Sequence, residues 1–284
     1  MSVGAETIPV GRQRPGLAVR ALNAIREHML ALFAAAVLVY LLLPIAVVAL
    51  FSFNDPAGRY NYTWQGFTLD HWLNPFGVPG LRDAISVSLE IALLASLVAT
   101  ILATPIALAL ARYRYRGRGA TNTLVFMAMT APEIVLGASL LTLFLNLGVA
   151  RGFWTILFAH VMFNISFVVV TVRARLVGFD RHLEEAAMDL GATPWTTFAR
   201  VTLPLIAPGI LAGALLAFAL SIDDFIITNF NAGSTVTFPM FVWGAARVGA
   251  PPQVNVIGTV IFVVAVGLML ANVLFQQRRL KGAA

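Results

Sequence analysis

The sequence predicts an all-α integral membrane protein, a bundle of six transmembrane helices carrying one amphipathic loop on its cytoplasmic side. Three observations lead there. Of 284 residues, 59% are hydrophobic and only 11% charged, with a mean hydropathy of +0.85, a balance that soluble domains do not reach. Apolar runs of membrane-spanning length recur along the chain, and a chain of this size holds about six of them with short connections. The nineteen Lys and Arg residues fall in clusters between those runs. The net charge of +6 therefore reports topology rather than a basic face for nucleic acid. The absence of cysteine removes disulfides, thiolate chemistry and Cys-ligated metal.

Residues 1–27 form a polar N-terminal tail with Arg12, Arg14, Arg20 and Arg26. A single domain, 28–277, then holds the six spans. The first, 29–53, is too long for a signal-peptide core and lacks a clean cleavage site; Pro44 is placed to kink it. Residues 54–81 are a loop rich in Asn, Gly and Pro, with Tyr60, Tyr62, Trp64 and Trp72. Such aromatics suit the membrane–water boundary, and a docking surface for an extracytoplasmic partner is the alternative.

The second span, 82–111, carries Ala95, Ala99, Ala103, Ala107 and Ala111 at every fourth position, a small-residue ridge for close helix packing. Pro105 removes a backbone donor there and predicts a bend. Arg112, Arg114, Arg116 and Arg118 mark the turn to a third span, 121–149, with Pro132-Glu133 in its middle. The fourth span is 153–172. The fifth, 207–230, contains Gly209-x-x-x-Gly213, a second packing pattern. A Gly/Thr/Pro-containing loop leads to the last span, 254–276, and to a short basic tail, 278–284, with Arg278, Arg279 and Lys281. Fifteen of the nineteen basic residues lie on the N-terminal tail, the 112–118 turn, the 173–200 segment and the C-terminus. Arg59, Arg82, Arg151 and Arg247 take the other side. Both termini and the amphipathic loop are thereby placed in the cytoplasm.

That loop, about 178–205, sits between two apolar spans yet reads as two short helices with a tight bend. Leu183, Ala186, Ala187 and Leu190 fall on one helical stripe, with Glu184, Glu185 and Asp189 off it. Asp180 is placed to cap the start, where acids suit the helix dipole. Gly191 suits a left-handed C-cap, and Thr193-Pro194 an N-cap followed by a first helical residue. Trp195, Phe198 and Ala199 repeat the stripe. A lipid interface would ask for Lys and Arg on the polar face; this face has three acids and no lysine. A groove on a soluble partner protein is the better cover.

The chain carries no evident covalent chemistry, and no catalytic or metal-ligating residues are expected. Its only lysine, Lys281, follows Leu280, so there is no phosphate-binding Gly-Lys-Ser/Thr loop. His28, His71, His160 and His182 are scattered without metal-ligand spacing. His160 lies inside a span, where a packing hydrogen bond is the first reading and a pathway role the second. The informative residues are acids at membrane depth: Glu133, Asp223 and Asp224, with Glu90 in the outer part of the second span. At 1.5 Å per residue, Asp223 stands about 24 Å into the fifth span. No Lys or Arg falls within the central parts of these helices to neutralise them, so a cavity or pathway for a cationic solute is expected. Phe225, Phe230 and Trp243 could stack against alkyl or ammonium groups, or serve in packing.

Glu185-Ala186-Ala187, then Gly191, then Leu203-Pro204, is similar to the loop that couples permeases of ATP-binding-cassette (ABC) importers to their ATPase; Val201 stands where that pattern has Ile. Several further stretches resemble the spermidine/putrescine permeases of the PotC type. They are Ser52-Phe53-Asn54, Trp64-x-Gly66-Phe67-Thr68, Ala131 to Gly137, Ser221-Ile222-Asp223-Asp224-Phe225, and Phe238-Pro239 with Trp243 and Arg247. The resemblance covers about residues 30–276. It implies a six-helix MetI-like bundle in the plasma (inner) membrane of a prokaryote. It also implies a homologous second permease, two copies of a cytoplasmic ATPase carrying the ATP and Mg, and an extracytoplasmic binding protein. Leu183, Glu185, Ala186, Ala187, Leu190, Gly191 and Trp195 would couple to the ATPase; Glu133, Asp223, Asp224, Phe225 and Trp243 would line the route of a polyamine or similar organic cation. A permease for another solute class, a self-contained ion-coupled carrier and a non-transporting scaffold are the rival readings.

Overall fold

The computed structural model describes the backbone of residues 17–58 and 60–282, which is helical apart from loops and one isolated antiparallel bridge, Asn54–Phe67. Arg12, Arg14 and Arg59 lie outside the described residues, as do the side chains of Arg20, Arg26, Arg278, Arg279 and Lys281.

Three helices make the centre: α3 (Leu81–Arg112), α6 (Phe153–Val177) and α9 (Leu203–Asp223). They approach closely because the facing residues are small. Ala95, Ala99, Ala103 and Ala107 are fully buried, so the alanine ridge of α3 is the packing surface the sequence predicts. On α9, a Cβ at Gly209 would stand 2.6 Å from Arg175 Cβ, and one at Gly213 would stand 3.1 Å from Val168 Cγ1. Both glycines are thus contact points between α9 and α6.

The core clusters also fix direction. Ile91 groups with Ile156, and Ala95 with Leu157, near one end of α3 and α6. Ala103, Ala107 and Leu110 group with Val168, Val172 and Leu176 near the other. The two helices therefore run parallel, and the chain between them must cross the full thickness of the bundle. It does so as a broken span, α4 (Arg118–Thr130) and α5 (Glu133–Asn146), bent by 107°. The expected continuous helix over 121–149 is corrected here. Ala131 and Pro132 take extended backbone (ψ 134° and 133°), as a residue before proline is pushed to do.

The expected fifth span, 207–230, is also corrected. Helix α8 (Pro194–Thr197) passes through a π-helical turn, Phe198–Thr202, straight into α9, giving one apolar rod, Pro194–Asp223. The wide turn has a local reason: Leu203 N reaches back to Phe198 O, relieving the crowding that Pro204 brings against the carbonyl four residues before it. At its far end α9 stops at Asp223, inside the expected span; α10 (Ile226–Asn231) follows the break, and α11 (Phe238–Val248) lies where a loop was expected.

Helix α1 (Leu17–Phe51) begins inside the expected tail and pairs with α12 (Pro252–Gly282), where Gly258 faces Val48. With the bent α4–α5 pair, the described helices long and apolar enough to cross a membrane number five, and the shorter apolar stretch Pro252–Gly267 of α12 stands where the sixth span is predicted. The 54–80 loop, which includes the short helix α2 (Asp70–Leu73), is built on buried Asn54. Its Nδ2 donates to Asn61 Oδ1 and Thr63 O, while its Oδ1 accepts from Gln65 N. Phe53 stacks between Phe67 and Trp72, so the two aromatic stretches of this loop are one folded unit.

Candidate functional site: a helix break and a docking hook

The break after α9 is made by Asp224. Its backbone is extended (φ −63°, ψ 122°), and its Oδ2 accepts from both Thr228 N and Thr228 Oγ1 at 2.8 Å. A carboxylate satisfying the first turn of α10 competes directly with continuation of α9. The same oxygen lies 3.3 Å from His160 Nε2, which also pairs with Thr228 Oγ1 at 2.8 Å. Across the ring, His160 Nδ1 meets Ser221 Oγ at 3.0 Å, and Ser221 Oγ accepts from Asn164 Nδ2 at 2.9 Å. All of these groups are buried. Buried polar groups require partners, and here each end of the break finds its partners on α6. No Lys or Arg pairs with Asp224 among the described residues, as expected; its partner is His160, which sequence reading treated by itself.

Asp223 points elsewhere. It is exposed and lines a cavity of about 470 Å³ together with Phe225, Phe238, Pro239 and Trp243. Phe225 and Trp243 lie with ring centroids 5.3 Å apart, and the Arg247 guanidinium sits 5.0 Å from the Trp243 ring. Of the five residues predicted for a solute route, the structure gathers Asp223, Phe225 and Trp243. Asp224 is turned into the protein. Glu133 stands exposed at the other break, at the start of α5, and does not line this cavity. The two breaks are nonetheless neighbours, because α5 packs on α10: a Cβ at Gly137 would stand 2.7 Å from Phe230 Cδ2 and 3.3 Å from Ile227 Cα.

At the opposite end of the bundle lies the amphipathic loop. Helix α7 (His182–Asp189) ends at Gly191, whose φ of 87° is one that side chains strain to adopt. Thr193 Oγ1 accepts from Thr196 N at 3.2 Å, the predicted N-cap of α8. Leu183, Leu190 and Trp195 are 48%, 90% and 74% exposed. Ala186 is exposed, Ala187 half-buried, and Glu185 exposed on the same hook. A second carboxylate does what sequence reading missed. Glu184 turns back to the bundle, 2.7 Å from Arg112 Nη2 at the end of α3, and accepts from Thr202 Oγ1 in the π-helical turn. Helical periodicity put Glu184 on the solvent side, and no local signal pairs it with a residue so distant in sequence.

Asp180 accepts from His182 N at 3.0 Å and pairs with His182 Nδ1 at 2.7 Å. That hydrogen bond holds the Asp180 carboxyl below its usual range and raises the imidazole above its own. No group of three or more His, Cys, Asp or Glu that could hold a metal ion occurs among the described residues.

Comparison with known proteins adds to this geometry. Residues 93–280 match the model of the family described as binding-protein-dependent transport system inner membrane component. The chain is 38% identical over 251 residues to the spermidine/putrescine transport system permease protein PotC of Escherichia coli K12, covering 88% of this chain and 94% of that protein. It is 37% identical over 230 residues to the putrescine transport system permease protein PotI of the same strain, covering 78% and 81%. In structure it resembles a chain of a bacterial alginate ABC transporter crystallised with an alginate pentasaccharide-bound periplasmic protein. That match has a TM-score of 0.63 and 19% identity, over 88% of this chain and 92% of that one.

Proposed function

Because the chain belongs to the family of binding-protein-dependent transport system inner membrane components, we propose that it is the permease subunit of an ATP-driven importer for polyamines, spermidine and putrescine or similar small organic cations. The observation that carries this reading is the near full-length likeness to PotC and PotI. The cavity in which Asp223, Phe225 and Trp243 converge adds a carboxylate and aromatic faces, the groups that receive an ammonium and its alkyl spacer. A binding protein delivers the solute to the α10–α11 end. ATP binding closes two ATPase subunits beneath the 178–205 hook, and the hook passes that movement to the bundle, which opens inward. A second, homologous permease completes the route. ATP and Mg reside on the ATPase, and the hook and both termini face the cytoplasm.

The test is reconstitution of this chain in liposomes with its candidate partner permease, ATPase and binding protein. The proposal expects ATPase stimulation by binding protein loaded with spermidine or putrescine, and none by sugars or anions. Stimulation by a sugar alone defeats the polyamine assignment, and amine transport by this chain without ATPase defeats the importer assignment.

A further inference from the structure

Both α3 and α6 end, as candidate membrane spans, at Arg112 and Val177. A pocket of about 370 Å³ lies between those ends, at the depth where apolar helix gives way to polar turn. Three guanidinium residues line it: Arg118 from the start of α4, Arg173 from the last turns of α6, and Arg181 from the loop beyond. Leu176, Val177 and Phe179 supply an apolar wall.

Among the described residues no carboxylate compensates the charge in this pocket. Arg118 Nε and Nη2 donate to Leu110 O at 3.2 and 2.9 Å, and Arg173 Nη1 donates to Asn122 Oδ1 at 2.5 Å. Both acceptors are neutral, although both arginines are half-buried. No carboxylate lines the pocket, and none of the described ion pairs includes Arg118, Arg173 or Arg181. The two nearest acids in sequence are occupied elsewhere, Asp180 by His182 and Glu184 by Arg112. Half-buried guanidinium groups are expected to find an anion, and converging arginines suit the oxygens of a phosphate.

The geometry points to a binding site for a phosphodiester anion, the headgroup of an anionic phospholipid, with its glycerol and upper acyl chain against Leu176, Val177 and Phe179. The volume is within the range of ligand-sized clefts, and basic pockets between helices at a membrane surface hold such headgroups. A soluble phosphate shares the charge chemistry but has no use for the apolar wall. The site is independent of which solute the protein carries.

The test uses the full chain, stripped of lipid in detergent and supplied with phosphatidylglycerol or phosphatidylcholine, with retained lipid read by native mass spectrometry. Wild type should retain phosphatidylglycerol over phosphatidylcholine by about tenfold, the scale of one charge-assisted contact. Arg181→Gln disturbs no described side-chain contact within the protein and should lower that preference several-fold. Arg173→Gln combined with it should abolish the preference, and Arg181→Lys should restore most of it. Unfolding midpoints of the variants separate lost binding from lost structure. Equal retention of both lipids by wild type, or an unchanged preference in the double variant, overturns the site. Full displacement of phosphatidylglycerol by excess inorganic phosphate overturns the lipid assignment in favour of a soluble anion.

Discussion

Asp223 and Asp224 are adjacent, of one residue type, and do different work. Consecutive helical positions diverge by about 100°, and the helix break increases the divergence: Asp223 reaches the cavity, whereas Asp224 caps α10 and faces His160. Asp223→Asn should lower uptake of a divalent amine about tenfold or more, the scale of a lost charged contact. Its ATPase rate and thermal midpoint should stay near wild type. Asp224→Ala should instead lower the thermal midpoint, through loss of the first-turn acceptor worth about 1–2 kcal/mol, and Thr228→Val should act in the same direction by removing the hydroxyl that Asp224 and His160 share. Equal thermal loss in the Asp223 and Asp224 variants, measured in one detergent, would contradict this division. At the hook, the Asp180–His182 pair gives a pH dependence. The His182 contribution is complete below its ordinary value of 6.5 and is lost as pH rises through the raised one. The Asp180 contribution is complete above its ordinary 3.8 and is lost as pH falls through the lowered one. The pair is therefore most complete between those two ordinary values. An NMR titration should show the imidazole midpoint above the ordinary value and a fall in Asp180→Asn; no difference between the two would dismiss the pair.

At the scale of elements, local period decided what could be read ahead. The alanine ridge of α3 and the glycine pair of α9 repeat every fourth residue, and each became a helix–helix contact. The hook was legible for the same reason, its caps and bend being fixed by neighbours in sequence. The breaks were not. Pro44, Pro105 and Pro208 all sit inside continuous helices, whereas Pro132 ends one, and nothing near it in sequence distinguishes it. What differs is tertiary: α5 has α10 to pack against once the chain turns. Asp224 is joined locally only by Thr228, four residues on and outside the usual capping spacing, and His160 on another helix completes the arrangement. The tie between Glu184 and Arg112 belongs to the same class of long-range contacts. Glu184→Gln should leave expression and helix content unchanged while transport falls and ATP hydrolysis persists. Exchanging the two charges, Arg112→Glu with Glu184→Arg, should recover part of the transport. Full coupling in the single variant would show that the tie is not needed.

At the scale of the whole molecule, parallel α3 and α6 separate the protein's surfaces into two ends. One holds the hook with its uncovered Leu183, Leu190 and Trp195; the other holds the break, the cavity and the folded aromatic loop. Leu190→Asp and Trp195→Asp should each reduce co-purification of the proposed ATPase by about tenfold, since exposed aromatic and aliphatic anchors dominate such interfaces. Undiminished capture by the double variant would place the ATPase elsewhere. The stretch from Pro194 to Asp223 is one rod of thirty residues, about 40–45 Å at helical rise, with no hinge between its ends other than a widened turn. If the hook docks as proposed, Trp195 and Asp223 would act as the two tips of a push-rod: a slide imposed at the hook would reach the carboxylate through unbroken helix, with the clasp of His160 on Asp224 at the far end.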